Sequence, residues 1–539
     1  MRLSTWICQL YILNNKFVGW RKKLKISHLQ IMPKHQKPQK RLGDGDTSEI
    51  ERYDSFSSSI SAGVAANRES ESNNKKEDEA YGEKIWTVMA CGAGLFSDGY
   101  INNVIGSVST ILKTLYGDAY TQSSAQKNIS AITFAGTVLG QLIFGYTSDK
   151  WSRKGSLLIS TVILIIFAAL GAGSYGIDGS VSGLFTALTV YRFFVGIGIG
   201  GEYPAGSVSC SEATGELKSG SRNRWFILFT NVMIDWGFVI GAFVPYILVI
   251  ICTDRHLRLA WRLMLGVGVI PPVLLVLSRF KLKEPEEFNK ESMKDVSIPY
   301  LLVIKYYWRR LLIVSLIWFF YDFSTYSFGI FSSTILSNIY GDSAPLAKIF
   351  GWNTVINLFY IPGAMAGSIF SDKVGPRYAL TIGVTAQALV GFLMAGLYPI
   401  LSQVKNVAGF TIVFGVFLSL GEMGPGDNIG LVASKTCATG VRGQYYAIAA
   451  AIGKLGAFVG TYVFPYIEEA GGGANTIRGA QLPFFVSSGF CALTAFLSLF
   501  GLPHIGQNTI TTEDREFRLY LESQGWDVSQ LGITREHIN

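Results

Sequence analysis

Residues 145–155 read GYTSDKWSRKG and residues 368–378 read SIFSDKVGPRY. Both carry Asp-Lys, beginning at Asp149 and Asp372, then a small residue and an arginine, Arg153 and Arg377. Each stretch is a short polar break between two long apolar runs. Runs of about 20 residues have the length an α-helix needs to cross the hydrocarbon core of a bilayer. Twelve follow one another, near 86–112, 127–147, 155–175, 183–205, 224–251, 262–279, 310–336, 347–371, 378–400, 407–432, 442–466 and 482–502. The first quoted loop joins the second and third runs, the other the eighth and ninth, so the chain is laid out as two repeats of six. The pattern predicts an all-α membrane protein of twelve transmembrane helices in two six-helix bundles.

Composition agrees with that reading. Of 539 residues 49% are hydrophobic and 16% charged, and the 59 glycines exceed the soluble-protein share of roughly 7%. A net charge of +8 would suit nucleic acid only if the cations lined one face; they fall in loops instead, and no nucleic-acid partner is expected. Alternate loops carry Lys150, Arg153 and Lys154; Lys218, Arg222 and Arg224; the stretch from Arg279 to Arg310; Lys373 and Arg377; Lys435 and Arg442. The positive-inside rule places these loops and both termini in the cytoplasm, with Arg255 and Arg258 as the exception. Residues 1–80, polar and serine-rich, read as a disordered cytoplasmic tail. The expected order is then a bundle over 81–279, a central cytoplasmic loop over 280–309, a second bundle over 310–502 and a cytoplasmic tail over 503–539. The opening MRLSTWICQLYIL lacks a clean cleavage site and reads poorly as a secretory signal, and MPKHQKPQK from Met32 could equally begin a chain. The six cysteines, Cys8, Cys91, Cys210, Cys252, Cys437 and Cys491, lack metal or disulfide spacing, so neither metal nor cofactor is expected. With no nucleophile elbow and no catalytic histidine pattern, a soluble enzyme is poorly supported.

The ionisable residues inside the runs carry the functional reading. They are Asp98, Arg192, Glu202, Asp235, Asp322, Glu422, Asp427 and Lys454. A charge at the bilayer centre costs at least about 2.5–3.5 kcal/mol, so each should face an interior cavity, find a partner or carry a proton. The five histidines all lie in tails and loops, which leaves carboxylates as proton carriers. Trp318, Asp322 and Tyr326 are four apart and form one stripe of the seventh helix, either as a site or as plain packing with Asp322 bonded to a neighbour. Asp98 and Asn102 share a face of the first helix in the same way, as a functional pair or a helix–helix hydrogen bond. In YRFFVGIGIGGEYP, Gly196 and Gly200 allow close helix contact, and Pro204 frees carbonyls beside Glu202 and Tyr203. The GIGIGG within it lacks the strand-turn-helix setting of a dinucleotide site. Arg192 fits a substrate group or a structural contact equally. Lys454, among the glycines and alanines of AAAIGKLGAFVG, needs an anion: a carboxylate such as Asp322, bridging the halves permanently, or a bound substrate. Six acids stand against two bases, so an anionic substrate must enter together with a proton, which is the logic of proton symport.

These residues resemble a known family. GYTSDKWSRK, YRFFVGIGIGGEYP followed by Ser211-Glu212, WFFYDFSTY (318–326) and GKLGA (453–457) are similar to the phosphate:proton symporter branch of the major facilitator superfamily, over nearly all of 86–502. LFSDGYINNVIGSV, RNRWFILFTNVMIDWG and GEMGPGDNIGLVASK look like the fungal glycerophosphodiester permeases, whose substrates include glycerophosphoinositol and glycerophosphocholine. The resemblance implies a major facilitator fold. It puts the proton path on Asp98 and Glu202, and phosphate contacts on Tyr203, Trp318, Asp322, Tyr326 and Lys454; Asp322, a buried carboxylate beside the anion site, is then expected to couple the two. The loop motif, with Gly145, Asp149, Arg153, Asp372 and Arg377, is implied to gate. Two departures stand out. Phosphate members have a fifth-helix glutamine, where this chain offers Asn231 and Asp235; and their Gly-Pro-Asn becomes Gly424-Pro425-Gly426-Asp427-Asn428. The added small and polar groups suggest room for hydroxyls beyond the phosphate. The expected partners are therefore protons, the lipid bilayer and a glycerophosphodiester taken up at the plasma membrane, with an inorganic phosphate symporter as the rival. A sensor of the same fold, which binds without transporting, is a further alternative.

Overall fold

The computed structural model describes residues 81–341 and 344–532. The expectation of a disordered tail over 1–80 lies outside the described residues. Within them the chain is helical, with no strand. Eleven helices are long and apolar enough to cross a membrane. They are α2 (Ala125–Lys150), α3 (Arg153–Ala172), α4 (Val181–Thr214), α5 (Arg222–Cys252), α6 (Asp254–Arg279), α7 (Tyr300–Tyr340), α8 (Leu346–Val374), α9 (Pro376–Leu401), α10 (Val404–Lys435), α11 (Thr439–Ala470) and α12 (Ile477–Gly501). The helical stretch over 81–116, α1, is not in that set. Its buried face carries Ser97, Asp98, Asn102, Asn103, Ser107 and Ser109, and it packs against α5 and α7. An outward belt of exposed Leu139, Ile143, Ile166, Leu274, Leu393 and Phe496 gives the bundle the apolar exterior that lipid requires.

α7 starts at Tyr300, earlier than the apolar pattern predicts, and runs for 41 residues. At 1.5 Å per residue it is roughly 60 Å long, so its basic first turns extend beyond a hydrocarbon core of about 30 Å. A helix over Thr509–Ser523, α13, packs Phe517 and Leu521 against Tyr307, Val441 and Tyr445. Arg310 pairs with Glu513 at 2.7 Å. Burial pushes the Glu513 carboxyl above its ordinary pKa range, partly offset by that guanidinium.

α4 opens into a π-turn over Glu202–Ser207, and α10 does the same over Glu422–Gly426. Each turn contains a proline, Pro204 or Pro425, which cannot donate a backbone hydrogen bond and so loosens the helix at that point. Helices α2 and α4 meet along bare backbone. A side chain at Gly196 would strike the Thr133 carbonyl and the Gly136 Cα, and one at Gly200 would strike the Thr137 carbonyl and Gln141 amide. Replacing Gly200 with leucine should therefore force α2 and α4 apart. Overpacking costs about 1–3 kcal/mol, so thermal unfolding of the purified protein in detergent should move down by several degrees, while Gly489→Leu, where nothing lies near, should leave it unchanged.

Candidate functional site

Four helices converge on Lys454. α11 approaches α7 through Gly453, which faces the Trp318 indole, and Gly456, which faces the Phe319 carbonyl. That approach lodges the ammonium, 1% exposed, 3.4 Å from Asp322 on α7 and 3.4 Å from Asp98 on α1. Lys454 donates to the Tyr326 hydroxyl, and its Nζ lies 3.7 Å from the Tyr326 ring centre and 4.8 Å from that of Tyr203. Asp98 Oδ2 accepts from Tyr203 at 2.5 Å and Tyr326 at 2.7 Å, while its Oδ1 accepts from Asn102 at 2.6 Å. Every charge in this knot is met by opposite charge, hydroxyl or aromatic face, which is what keeps it affordable in a low-dielectric interior.

A second polar group stands on the opposite side of Tyr321-Asp322. Asn231 on α5 donates to Glu422 Oε2 and to Asp427 Oδ1, each at 2.9 Å. Tyr321 donates to Glu422 Oε1 at 3.0 Å. Asp235 is fully buried beside them, yet neither of its oxygens accepts a hydrogen bond from any described residue, and the same holds for Asp427 Oδ2. The two groups border one cavity, lined among others by Tyr203, Asp322, Tyr326, Lys454, Asn231, Glu422 and Asp427.

Other residues singled out by sequence lie elsewhere. Glu202 is gripped by Arg279 of α6 through two bonds of 2.6 Å, with Thr161 at 3.2 Å. Arg192 donates to the Ile129 carbonyl at 2.7 Å and does not border the cavity. Asn428 turns back to the Gly424 carbonyl at 2.7 Å, satisfying backbone within the loosened turn.

The loop motifs tie the halves together. Asp149 accepts from the amides of Gly443 and Gln444, in the first turn of the eleventh helix, at 3.0 and 2.8 Å. Arg153 bonds Asp149 at 2.6 Å and Glu212 at 3.0 Å, and Arg442 reaches Glu212 at 3.0 Å. Asp372 accepts from the Arg224 amide, in the first turn of the fifth helix, at 3.3 Å, and Gly145 packs on Ala447. Arg377 is different: it is turned to the Leu499 carbonyl within its own half. At the far end of α2, Lys127 donates to Tyr466 at 2.8 Å, so the halves are joined at both ends of the cavity.

The family model described as "Sugar (and other) transporter" matches residues 86–288 and 283–517. The chain belongs to that family. The major glycerophosphoinositol permease GIT3 of Candida albicans is 51% identical over 453 residues, 83% of this chain and 84% of the relative. The glycerophosphocholine permease GIT4 of the same organism is 49% identical over 488 residues, 89% of this chain and 91% of the relative. The fold matches the solved proton:xylose symporter XylE of the major facilitator superfamily, with a TM-score of 0.67 at 18% identity, over 81% of this chain and 99% of that one. The transporter is thus a multi-pass membrane protein of the major facilitator fold.

Sequence reasoning missed Arg279, assigned to a loop because it follows the last apolar residues of its run, and Tyr321, hidden among equally aromatic neighbours. An acid at a proline-loosened point of a membrane helix calls for some cation, but nothing around Glu202 in the sequence points to Arg279, which stands 77 residues further on. Removing one partner of a buried pair strands the other at a cost of about 3–5 kcal/mol. Arg279→Met should therefore destabilise the transporter strongly in a detergent melting curve, and adding Glu202→Leu to it should recover most of the loss.

Proposed function

We propose that this chain is a proton-coupled importer of glycerophosphodiesters at the plasma membrane, with the basic loops and both termini on the cytoplasmic side. The observation that carries the reading is Lys454, held between Asp98 and Asp322 on the wall of a cavity between the two halves. The ammonium is the one cation bordering that cavity among the described residues, and a phosphodiester is a monoanion that an ammonium can hold as a point charge. Support for the substrate class comes from the two Candida albicans permeases, which match over more than four fifths of the chain.

Charge accounting supplies the coupling. Two carboxylates and one ammonium sum to a single negative charge. A monoanion arriving alone would double it in a poorly polarisable interior, whereas a monoanion arriving with a proton leaves it unchanged. On this reading the proton lands on Asp98 or Asp322, freeing Lys454 for the phosphate, and Tyr203, Tyr326 and Trp318 supply donors and shape. Glu202, although the resemblance sets it on the proton path, is gripped by Arg279, so it serves to anchor the π-turn that presents Tyr203 to Asp98. Joint occupancy then lets the halves rock, breaking the contacts made by Asp149 and Asp372.

In proteoliposomes, uptake of radiolabelled glycerophosphoinositol should rise as the outer solution is acidified and collapse with a protonophore; uptake indifferent to the gradient would overturn the coupling. Lys454→Gln should lower that uptake roughly 30-fold or more, since losing one member of a buried charge pair costs at least about 2 kcal/mol. An unchanged rate would remove Lys454 from the anion site. Excess inorganic phosphate that competes better than glycerophosphocholine would favour the phosphate symporter.

A further inference from the structure

The two halves treat the same position differently. Glu202 opens the π-turn of the fourth helix, and Glu422 opens that of the tenth. Glu202 is neutralised by Arg279 and its carboxylate is closed off. Glu422 has no cation in ion-pair contact among the described residues; it is met by an amide and a phenol, Asn231 and Tyr321, and it borders the cavity. Asp427, one turn further on, also borders the cavity, and Asp235 lies behind.

Counting donors shows what the cluster lacks. Three carboxyl groups offer six oxygens. The protein supplies three hydrogen bonds to them, two from Asn231 and one from Tyr321. Asp427 Oδ2 and both oxygens of Asp235 accept nothing from any described residue, although both residues are at least 99% buried. Buried polar atoms without partners are rare and costly, and they ask for a group that brings hydrogen-bond donors. The described residues contain no cluster arranged to hold a metal ion. A polyhydroxy alcohol fits: adjacent hydroxyls donate in parallel to carboxylate oxygens, and every glycerophosphodiester carries such a pair on its glycerol.

We infer that Glu422, Asp427 and Asn231, backed by Asp235 and Tyr321, form a second subsite that holds the vicinal hydroxyls of the substrate's alcohol while Lys454 holds its phosphate. The inference rests on the reading of Lys454 given above. The spacing is natural. Tyr321 serves the acid subsite and Asp322 serves Lys454, and the two are sequence neighbours on one helix. Tyr321, Asp322, Glu422, Asp427 and Lys454 line the same cavity, which is where a single diester would meet both subsites. Free phosphate brings no carbon-borne hydroxyls and leaves the acid subsite unmet, so the subsite is a device for preferring diesters.

The test uses the full-length chain in proteoliposomes, with radiolabelled glycerophosphoinositol as the transported probe and two unlabelled competitors, glycerophosphocholine and its derivative with both glycerol hydroxyls methylated. In the wild type, glycerophosphocholine should compete at least about tenfold better than the methylated compound, the value of one charge-assisted hydrogen bond of about 1.5 kcal/mol. Glu422→Gln and Asp427→Asn should each shrink that ratio to within about twofold. Equal competition in the wild type, or a ratio untouched in both variants, overturns the subsite; the wild-type arm decides even if a variant does not fold. The two readings fail separately. A wild type that moves inorganic phosphate and neither diester sinks the proposed function, whereas one that moves glycerophosphoinositol but ignores the methylation sinks the subsite alone.

Discussion

An ammonium ion in the middle of a membrane protein is stable only if its neighbours replace the water it has lost. Lys454 has that replacement from two carboxylates, one hydroxyl and two aromatic faces, contributed by α1, α4 and α7 to a residue on α11. Because α1 and α4 belong to one half and α7 and α11 to the other, the ion pair is also a joint between the halves. Its energy is a balance between desolvation and Coulomb attraction, and such balances shift when either partner changes charge. A joint built this way responds to protons and to anions, which a joint built from leucines would not.

The repeat seen in the loops runs deeper than the loops. Asp98 and Asp322 occupy the first helix of each half and lie at equal distance from Lys454. Asp149 and Asp372 stand in the last turn of the second helix of each half, and each accepts from backbone amides near the start of the other half's fifth helix, two for Asp149 and one for Asp372. Carboxylates at helix N-termini are stabilised by the unpaired amides and the helix dipole there, so each contact both caps a helix and clamps an interface. Capping across the interface is broken only when the halves separate at that end. The repeat is not perfect, however. Arg153 joins the Glu212–Arg442 network across the halves, while Arg377 stays at home on a backbone carbonyl.

Much of this was legible in the sequence because membranes impose simple rules. Apolar runs gave the helices, matched loops gave the two halves, and the price of a buried charge marked Asp98, Asp322 and Lys454 before any geometry was known. The stripe of Trp318, Asp322 and Tyr326 follows from helical period alone. What escaped were relations across the fold. Nothing local separates Glu202, which is neutralised, from Glu422, which is not, because the deciding residue, Arg279, sits on another helix at the edge of an apolar run. Arg192 fitted a substrate group or a structural contact equally from the sequence, and only the fold shows it bonded to the Ile129 carbonyl. The first run, 86–112, was by contrast legible as a helix, although the polar residues of α1 keep it out of the set of long, strongly apolar helices.

The two polar groups around the cavity make opposite demands. One presents a cation whose partners can be displaced by an anion; the other presents carboxyl oxygens short of donors. A ligand that satisfies only the first gains one charge contact and leaves unmet acceptors buried, and a ligand that satisfies only the second has no charge to draw it past the ring of acids. Neither gain alone need exceed the cost of closing the halves over the ligand. A molecule with an anionic centre and adjacent hydroxyls satisfies both at once, and the two groups are linked because Tyr321 and Asp322 are neighbours on α7. On the proposed reading, selectivity has a single physical origin, because neighbouring side chains of one helix, α7, serve the groups that would meet the two ends of the substrate.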